Sequence, residues 1–281
     1  MTRDEGDMAM TKTKIGILGC AGRMGQALIA EVLGRPDQAE LAGGIEQPNH
    51  PLVGKPLRDP RTGEDTGLLV GSDPQALFAA SDVVIDFTCP TATVLHAQIA
   101  ARSKAALVVG TTGLTPEQTE EVIRAARETV IVQAANFSLG VNLLLALTED
   151  VARRLDAAFD IEILEMHHRH KVDAPSGTAL ALGEAAARGR GVNLDEVADR
   201  VRDGITGARK SGHIGFATLR GGNVVGDHTV IFAADNERIE LTHKAGDRSI
   251  FARGAVTAAL WTRGKAPGRY GMADVLGFAR G

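Results

Sequence analysis

Four short runs in the first half of the chain place apolar residues at consecutive rather than alternating positions. They are Lys14-Ile15-Gly16-Ile17-Leu18-Gly19, Asp82-Val83-Val84-Ile85-Asp86-Phe87, Ala106–Val109 and Val130–Gln133. Such a strand has no face for water, so it belongs inside a sheet covered on both sides. The segments around them carry helical spacing: 24–33, stopped by Gly34 and Pro36, then 91–102 and 116–127. Buried strands alternating with helices point to an α/β fold with a Rossmann-like, doubly wound parallel sheet. Ala39–Ile45 is expected as a further strand. Residues 46–72, rich in Pro, Gly and Asp, read as a long loop with one short strand at Gly67–Val70.

The rhythm changes after Asn136. A helix over Ser138–Leu155 leads to an alternating strand, Asp160–Met166, and then a helix over 176–188. Residues 189–212 read as an exposed loop. Strands follow at His213–Leu219, Val224–Ala234 and Arg238–His243. The turns Arg220-Gly221-Gly222-Asn223 and Ala234-Asp235-Asn236-Glu237 suit antiparallel hairpins. A helix over Ser249–Thr262 comes last. With 281 residues and this change of pattern, two domains are expected.

Composition narrows the function classes. A net charge of −4, with Trp and Tyr once each, argues against a nucleic-acid binder. No stretch is apolar for long enough to cross a bilayer, and the opening MTRDEGDMAMTKTK has no apolar segment of a secretory signal. Residues 1–13 are expected to be a flexible extension. Cys20 and Cys89 form no disulfide framework and no metal motif, so they read as reduced thiols in a cytoplasmic protein.

Between the first strand and its helix lies Gly19-Cys20-Ala21-Gly22-Arg23-Met24-Gly25. Glycines at this spacing let backbone approach a pyrophosphate, and the helix start supplies N–H groups and a partial positive charge. Glu46 closes the second strand at about the 20-residue distance where an acid takes the ribose hydroxyls. Glycine turns also occur without a ligand, but here strand, helix and acid agree on a nicotinamide dinucleotide. Gln47 and Pro48 follow Glu46 where NADP selectivity would want a cation, which favours NADH or dual use. Arg23 is a cation able to serve a phosphate. Gly110-Thr111-Thr112-Gly113 and Ala134-Ala135-Asn136-Phe137 follow later strands, where the nicotinamide half belongs; either is also readable as an ordinary turn. Cys20 reads as a small filler.

The segment His167-His168-Arg169-His170-Lys171-Val172-Asp173-Ala174-Pro175-Ser176-Gly177-Thr178-Ala179 holds three of the eight histidines. A solvated strand edge is one reading. A metal site is another, but the histidines are crowded and no HExxH or Cys partner exists. An anion site uses every part: Ser176 caps a helix whose first amides, Gly177 and Thr178, stand beside Lys171. Were the segment extended, His167, Arg169 and Lys171 would share one side and His168 and His170 the other. Imidazoles crowded by cations would exchange protons near neutrality. These features imply a small acidic substrate near a dinucleotide.

Glu165–Ala179 as a whole resembles the signature of the 4-hydroxy-tetrahydrodipicolinate reductase (dihydrodipicolinate reductase) family, enzymes of the diaminopimelate route to lysine. So do Gly19–Gly25, Asp86-Phe87-Thr88, Gly110–Gly113, Ala135–Ser138 and Ile214–Thr218, in family order from about Lys14 to the C-terminus. The resemblance implies NAD(P)H-dependent reduction of 4-hydroxy-tetrahydrodipicolinate to tetrahydrodipicolinate. It makes His167 the acid/base histidine and Lys171 a proton donor, with His168, Gly177 and Thr178 on the substrate carboxylates. It puts the dinucleotide on Gly19 to Met24, Glu46, Gly110 to Thr112 and Ala134 to Phe137. It further implies a dinucleotide-binding domain over 14–137, a smaller mixed α/β substrate-binding and tetramerisation domain over 138–246, and a C-terminal helix, within 247–281, returning to the first. The ring would bind between the domains of a homotetramer, with hinges near Phe137–Ser138 and Ala245–Asp247. Gln47 and Cys89 stand where some members carry a basic residue, so either NADH or NADPH is expected, NADH at least competitively. Two readings outside the family are another NAD(P)-dependent dehydrogenase of similar architecture and a non-catalytic dinucleotide-sensing protein.

Overall fold

A computed structural model describes residues 11–278. Of the expected flexible extension, residues 1–10 lie outside the described residues. The rest of it is ordered differently from expectation: Thr13 opens the first strand, and the Thr11 carbonyl and hydroxyl accept hydrogen bonds from Arg263 at 2.8 and 2.6 Å.

The chain begins β1 (Thr13–Leu18), α1 (Arg23–Leu33), β2 (Ala39–Ile45), β3 (Pro56–Arg58), β4 (Asp65–Gly71), α2 (Pro74–Ala80), β5 (Val83–Asp86), α3 (Pro90–Ser103), β6 (Ala106–Val109), α4 (Pro116–Ala125) and β7 (Val130–Gln133). The stretch expected as mostly loop thus holds two strands, β3 and β4, paired antiparallel around buried Leu57 and Val70. The helix α2 was not expected either. Asp73 caps it, accepting from the Gln75 N–H at 2.8 Å, and Pro74 opens it.

Next come α5 (Leu139–Arg154), β8 (Asp160–His167), α6 (Gly177–Arg190), α7 (Leu194–Val197), β9 (Ala198–Asp199), β10 (Ile214–Arg220), β11 (Gly226–Ala233) and β12 (Arg238–Ala245). The chain closes with α8 (Ser249–Trp261), β13 (Gly268–Tyr270) and α9 (Met272–Val275). It divides into two units: one of residues up to Phe137 with Phe251–Val275, the other from Ser138 to Ile250 with residues from Leu276 onward. The second boundary therefore falls inside α8 rather than at 246, and the chain after Val275 groups with the second unit.

The first unit is built on an eight-stranded sheet in the order β13-β7-β6-β5-β1-β2-β4-β3, parallel except for β3. Every residue of β5 and β6 is buried, as their unbroken apolar runs require. Strand order reverses between β1 and β5, so the chain leaves the carboxyl ends of these neighbours in opposite directions. That crevice is where open α/β sheets bind ligands.

The second unit has a five-stranded sheet ordered β12-β11-β8-β10-β9. The expected hairpin at Arg220–Asn223 does not form. β10 lies parallel to β8 on one side, and β11 lies antiparallel on the other. β8 takes the centre because Ile161 and Ile163 belong in the core, packed with Val230, Phe232, Ile214 and Phe216. Only the turn at 234–237 joins a true hairpin, β11 to β12. Residues 189–212 are not all loop: buried Leu194 anchors α7 to the same core.

Burial alternates along β8, so Ile161, Ile163, Glu165 and His167 form one inward row. Beside it, β11 turns Phe232, Val230, His228 and Gly226 inward. Both rows start apolar; that of β8 ends in Glu165 and His167 and that of β11 in His228 and Gly226, at the start of α6. The candidate site lies at this change.

Candidate active site

Helices α2, α4, α5, α6 and α7 begin under side-chain caps from Asp73, Thr115, Ser138, Ser176 and Asn193. α1 and α3, which follow β1 and β5 at the strand-order reversal, have no such cap. A helix start without one presents its first N–H groups, and the positive end of its dipole, to an anion. α3 opens with Pro90, so α1 is the better donor.

The loop ahead of α1 is tighter than expected. Gly19 and Cys20 donate to the Ile45 carbonyl at 3.0 and 3.1 Å, Gly22 donates to Gly19 at 3.1 Å, and Ala21 donates to Glu46 Oε1 at 2.9 Å. The amides of Gly19 to Gly22 are thus engaged within the protein, and the uncapped first turn of α1 begins with Arg23 and Met24. A Cβ on Gly25 would fall 2.1 Å from the Gly19 carbonyl oxygen, so only glycine lets α1 start this close to β1. Cys20 is fully buried, and burial, then the Glu46 charge, pushes its thiol up to about 11. It fills space and is no nucleophile.

Asp86 ends β5 with no exposure. It accepts from the Thr88 N–H and hydroxyl at 2.9 and 2.6 Å, takes a longer bond from the Thr111 hydroxyl at 3.4 Å, and pairs with His96 Nδ1 at 2.8 Å. Burial pushes its carboxyl up, but His96 and Thr88 outweigh it and hold the group ionised. This network fixes Thr111 between Gly110 and Thr112 at the end of β6. Phe137 packs against Phe87 at a tilt of 57° with centroids 5.5 Å apart, which brings Ala134, Ala135 and Asn136 to the same sheet edge. Uncapped helix amides for a pyrophosphate and a carboxylate for ribose hydroxyls fit an adenine dinucleotide.

In the second unit the basic segment turns instead of staying extended. Gly221 donates to the His167 carbonyl at 2.9 Å, Arg169 to Gly222 at 3.3 Å, and Lys171 to His168 at 3.1 Å. His167 stays on the buried face, 8% exposed, whereas Arg169 and His170 are exposed. The Lys171 ammonium meets Asp173 at 2.8 Å. His167, Arg169 and Lys171 therefore share no common side, and what stands against His167 is a carboxylate: Glu165 Oε2 lies 2.5 Å from Nδ1. Burial pushes the Glu165 carboxyl up, but the Arg220 fork, His167 and the Ser176 N–H bring it below the usual range.

Ser176 caps α6, its hydroxyl accepting from the Ala179 N–H at 3.2 Å, so Gly177 and Thr178 form the helix's first turn. The same hydroxyl lies 3.1 Å from His228 Nε2. The His228 ring meets the His167 ring edge-on at 5.1 Å. His168, His170, Asn223, Val225 and Arg248 line a cavity of about 280 Å³. Sequence reading had not singled out Glu165, Arg220, His228 or Arg248 as site residues. Among the described residues no group of His, Cys, Asp and Glu could hold a metal, and no helix is long and apolar enough to cross a membrane.

Burial, then the His167 charge, pushes His228 from 6.5 down to about 4. The unfolded chain takes up this proton between 6.5 and 4 and the folded chain does not, so stability falls as pH drops through that window. The contribution is about 3 kcal/mol. Urea unfolding at the two ends of the window should show the unaltered protein losing about 2–3 kcal/mol more than His228→Gln. Equal losses would mean that His228 is not held neutral.

Comparison with known proteins follows the same division. The model of the family described as "Dihydrodipicolinate reductase, N-terminus" matches residues 13–137, and that of "Dihydrodipicolinate reductase, C-terminus" matches residues 140–276. A curated relative from Ruegeria pomeroyi, named 4-hydroxy-tetrahydrodipicolinate reductase, is 56% identical over 94% of this chain and 97% of its own length. One of the same name from Roseobacter denitrificans is 54% identical over 96% and 99%. The solved structure of dipicolinate-bound dihydrodipicolinate reductase from Paenisporosarcina sp. TG-14 shares the fold, with a TM-score of 0.75 at 23% identity over 94% of this chain and 98% of that one.

Proposed function

The chain belongs to the dihydrodipicolinate reductase family, and on that premise we propose how its own residues serve the reaction. It reduces 4-hydroxy-tetrahydrodipicolinate to tetrahydrodipicolinate with NADH or NADPH. One ring carboxylate seats on the Gly177 and Thr178 amides with His168. The other meets Lys171, which exchanges Asp173 for it. Arg248, on the cavity wall beside His168, adds a second cation.

The chemistry supplied by a bound reduced nicotinamide is hydride donation. Loss of water from the hydroxylated ring leaves an α,β-unsaturated imine, which gains the hydride at one ring carbon. His167 holds at Nε2 the proton taken up by the neighbouring carbon, with Lys171 as a further donor. What carries this reading is a buried imidazole, bonded to a buried carboxylate, beside a helix start and a basic turn. Absorbance of the reduced nicotinamide tests it: with freshly prepared ring, both cofactors should be consumed, and neither without it. Consumption with other carbonyl compounds but not with this ring would overturn the reading.

The dinucleotide rests on the Arg23 and Met24 amides, with Glu46 on the ribose and the Gly110–Thr112 and Ala134–Phe137 segments beside the nicotinamide. Neither Gln47 nor Cys89 offers a cation, so NADH is at least competitive with NADPH. Glu46→Ala should weaken NADH binding about ten- to hundredfold, the loss of about 1.5–3 kcal/mol expected for hydrogen bonds to a charged group. The KM for the ring should not move. Unchanged NADH affinity in a direct titration would remove the ribose role.

The second unit also supports assembly as a homotetramer. α5 and α6 cover one face of its sheet. The other presents Leu164, Met166, Ala217, Leu219 and Ile231, none of them fully buried. Both cysteines are free thiols, as expected of a protein of the reducing cytoplasm.

A further inference from the structure

We propose that Glu165, clamped by Arg220, is a positioning residue that decides which nitrogen of His167 exchanges protons. The proposal rests on the reading of His167 as the acid/base group.

Four donors converge on one buried carboxylate. Glu165 Oε1 accepts from the Ser176 N–H and from Arg220 Nη2, both at 3.0 Å. Oε2 accepts from Arg220 Nη1 at 2.8 Å and lies 2.5 Å from His167 Nδ1. An ionised carboxylate has no proton to give, so Nδ1 carries the hydrogen of that bond. Nε2 is then the atom left to take up and release protons. A bidentate Arg–carboxylate pair is rigid, and its hydrogen bonds are of the strong, charge-assisted kind. The Glu165 side chain is therefore fixed before any ligand arrives.

The surroundings of His167 agree. On the Nε2 side a Cβ at position 226 would lie only 3.0 Å from that nitrogen, so Gly226 keeps the space open. The charged or titratable groups around the imidazole are Glu165 on β8, Arg220 on β10 and His228 on β11, and His228 is itself under the charges of Lys171 on the following turn and His243 on β12. Arg220 also donates from Nη2 to the Asp173 carbonyl at 2.6 Å, and Asp173 holds Lys171. One ion pair thus braces the strand bearing His167, the start of α6 and the turn bearing Lys171.

Glu165→Gln keeps the shape but replaces one acceptor oxygen with a donor. In that variant a donor must face a donor, and the Nδ1–H tautomer loses its support. The turnover number should fall roughly 10²–10⁴-fold, the scale of losing an orienting carboxylate beside a catalytic histidine. KM for the ring and for NADH should stay within about threefold. The test sets Glu165→Gln beside His167→Gln and the double variant. Both single variants slow, with the double no slower than His167→Gln, is the expected result. Losses that multiply would mean a structural role and overturn the proposal. A fast Glu165→Gln beside a slow His167→Gln would overturn it and leave the acid/base reading intact. A fast His167→Gln would overturn both. Should Glu165→Gln not fold, nitrogen-15 NMR of the unaltered protein decides. Neutral His167 protonated at Nδ1 is expected, and protonation at Nε2 refutes the proposal.

Discussion

His167→Ala should lose turnover by about 10²–10⁴ while KM for the ring changes little, because general acid–base help is worth that much and is given only in the transition state. The fold should survive. Glu165 keeps the Arg220 fork and the Ser176 N–H when the imidazole is gone, so no uncompensated buried charge is created. Steady-state kinetics with both substrates varied separates the two constants. An unchanged turnover number would remove His167 from the reaction.

Lys171→Ala should damage both constants. It removes a charged hydrogen bond to a substrate carboxylate, about 1.5–3 kcal/mol or ten- to hundredfold in KM, and also a proton donor. Stability offers an internal control. Among the described residues Lys171 forms an ion pair with Asp173 alone, whose side chain is 54% exposed, and exposed pairs are worth about 0–1 kcal/mol. An unfolding midpoint within a degree or two of the parent, with turnover and KM both impaired, is therefore expected. A variant that binds the ring normally would contradict the contact.

The proposals for these two residues rest on a signal that is local, and so was present before the fold. The glycine loop and the acid after β2 are also local, and β2, β6 and β7 fall at the bounds that the apolar runs gave. What was hidden depends on pairing between distant segments. The Gly221-Gly222-Asn223 turn looks like a hairpin in isolation, yet β8 separates the strands it joins. Arg220 and His228 reach Glu165 and His167 only through the register of β10 and β11 against β8. Glu165 was within reach: the alternation Ile161, Ile163, Glu165, His167 carries a carboxylate into a row that two isoleucines mark as buried. A charge there needs partners, and that need marks the site. The expected grouping of His167 with Arg169 and Lys171 on one side failed for a different reason. The chain turns after β8, which sends Arg169 to the surface and leaves the imidazole with its carboxylate.

The central claim is that the basic turn and the start of α6 seat a doubly negative ring. A crystal structure of the protein with NADH and pyridine-2,6-dicarboxylate tests it most directly. The expected result is one carboxylate about 3 Å from the Gly177 and Thr178 amides, the other at the Lys171 ammonium, and His167 Nε2 turned towards the ring. A ring bound elsewhere, or one leaving Lys171 on Asp173 and His167 Nε2 facing away, would contradict it.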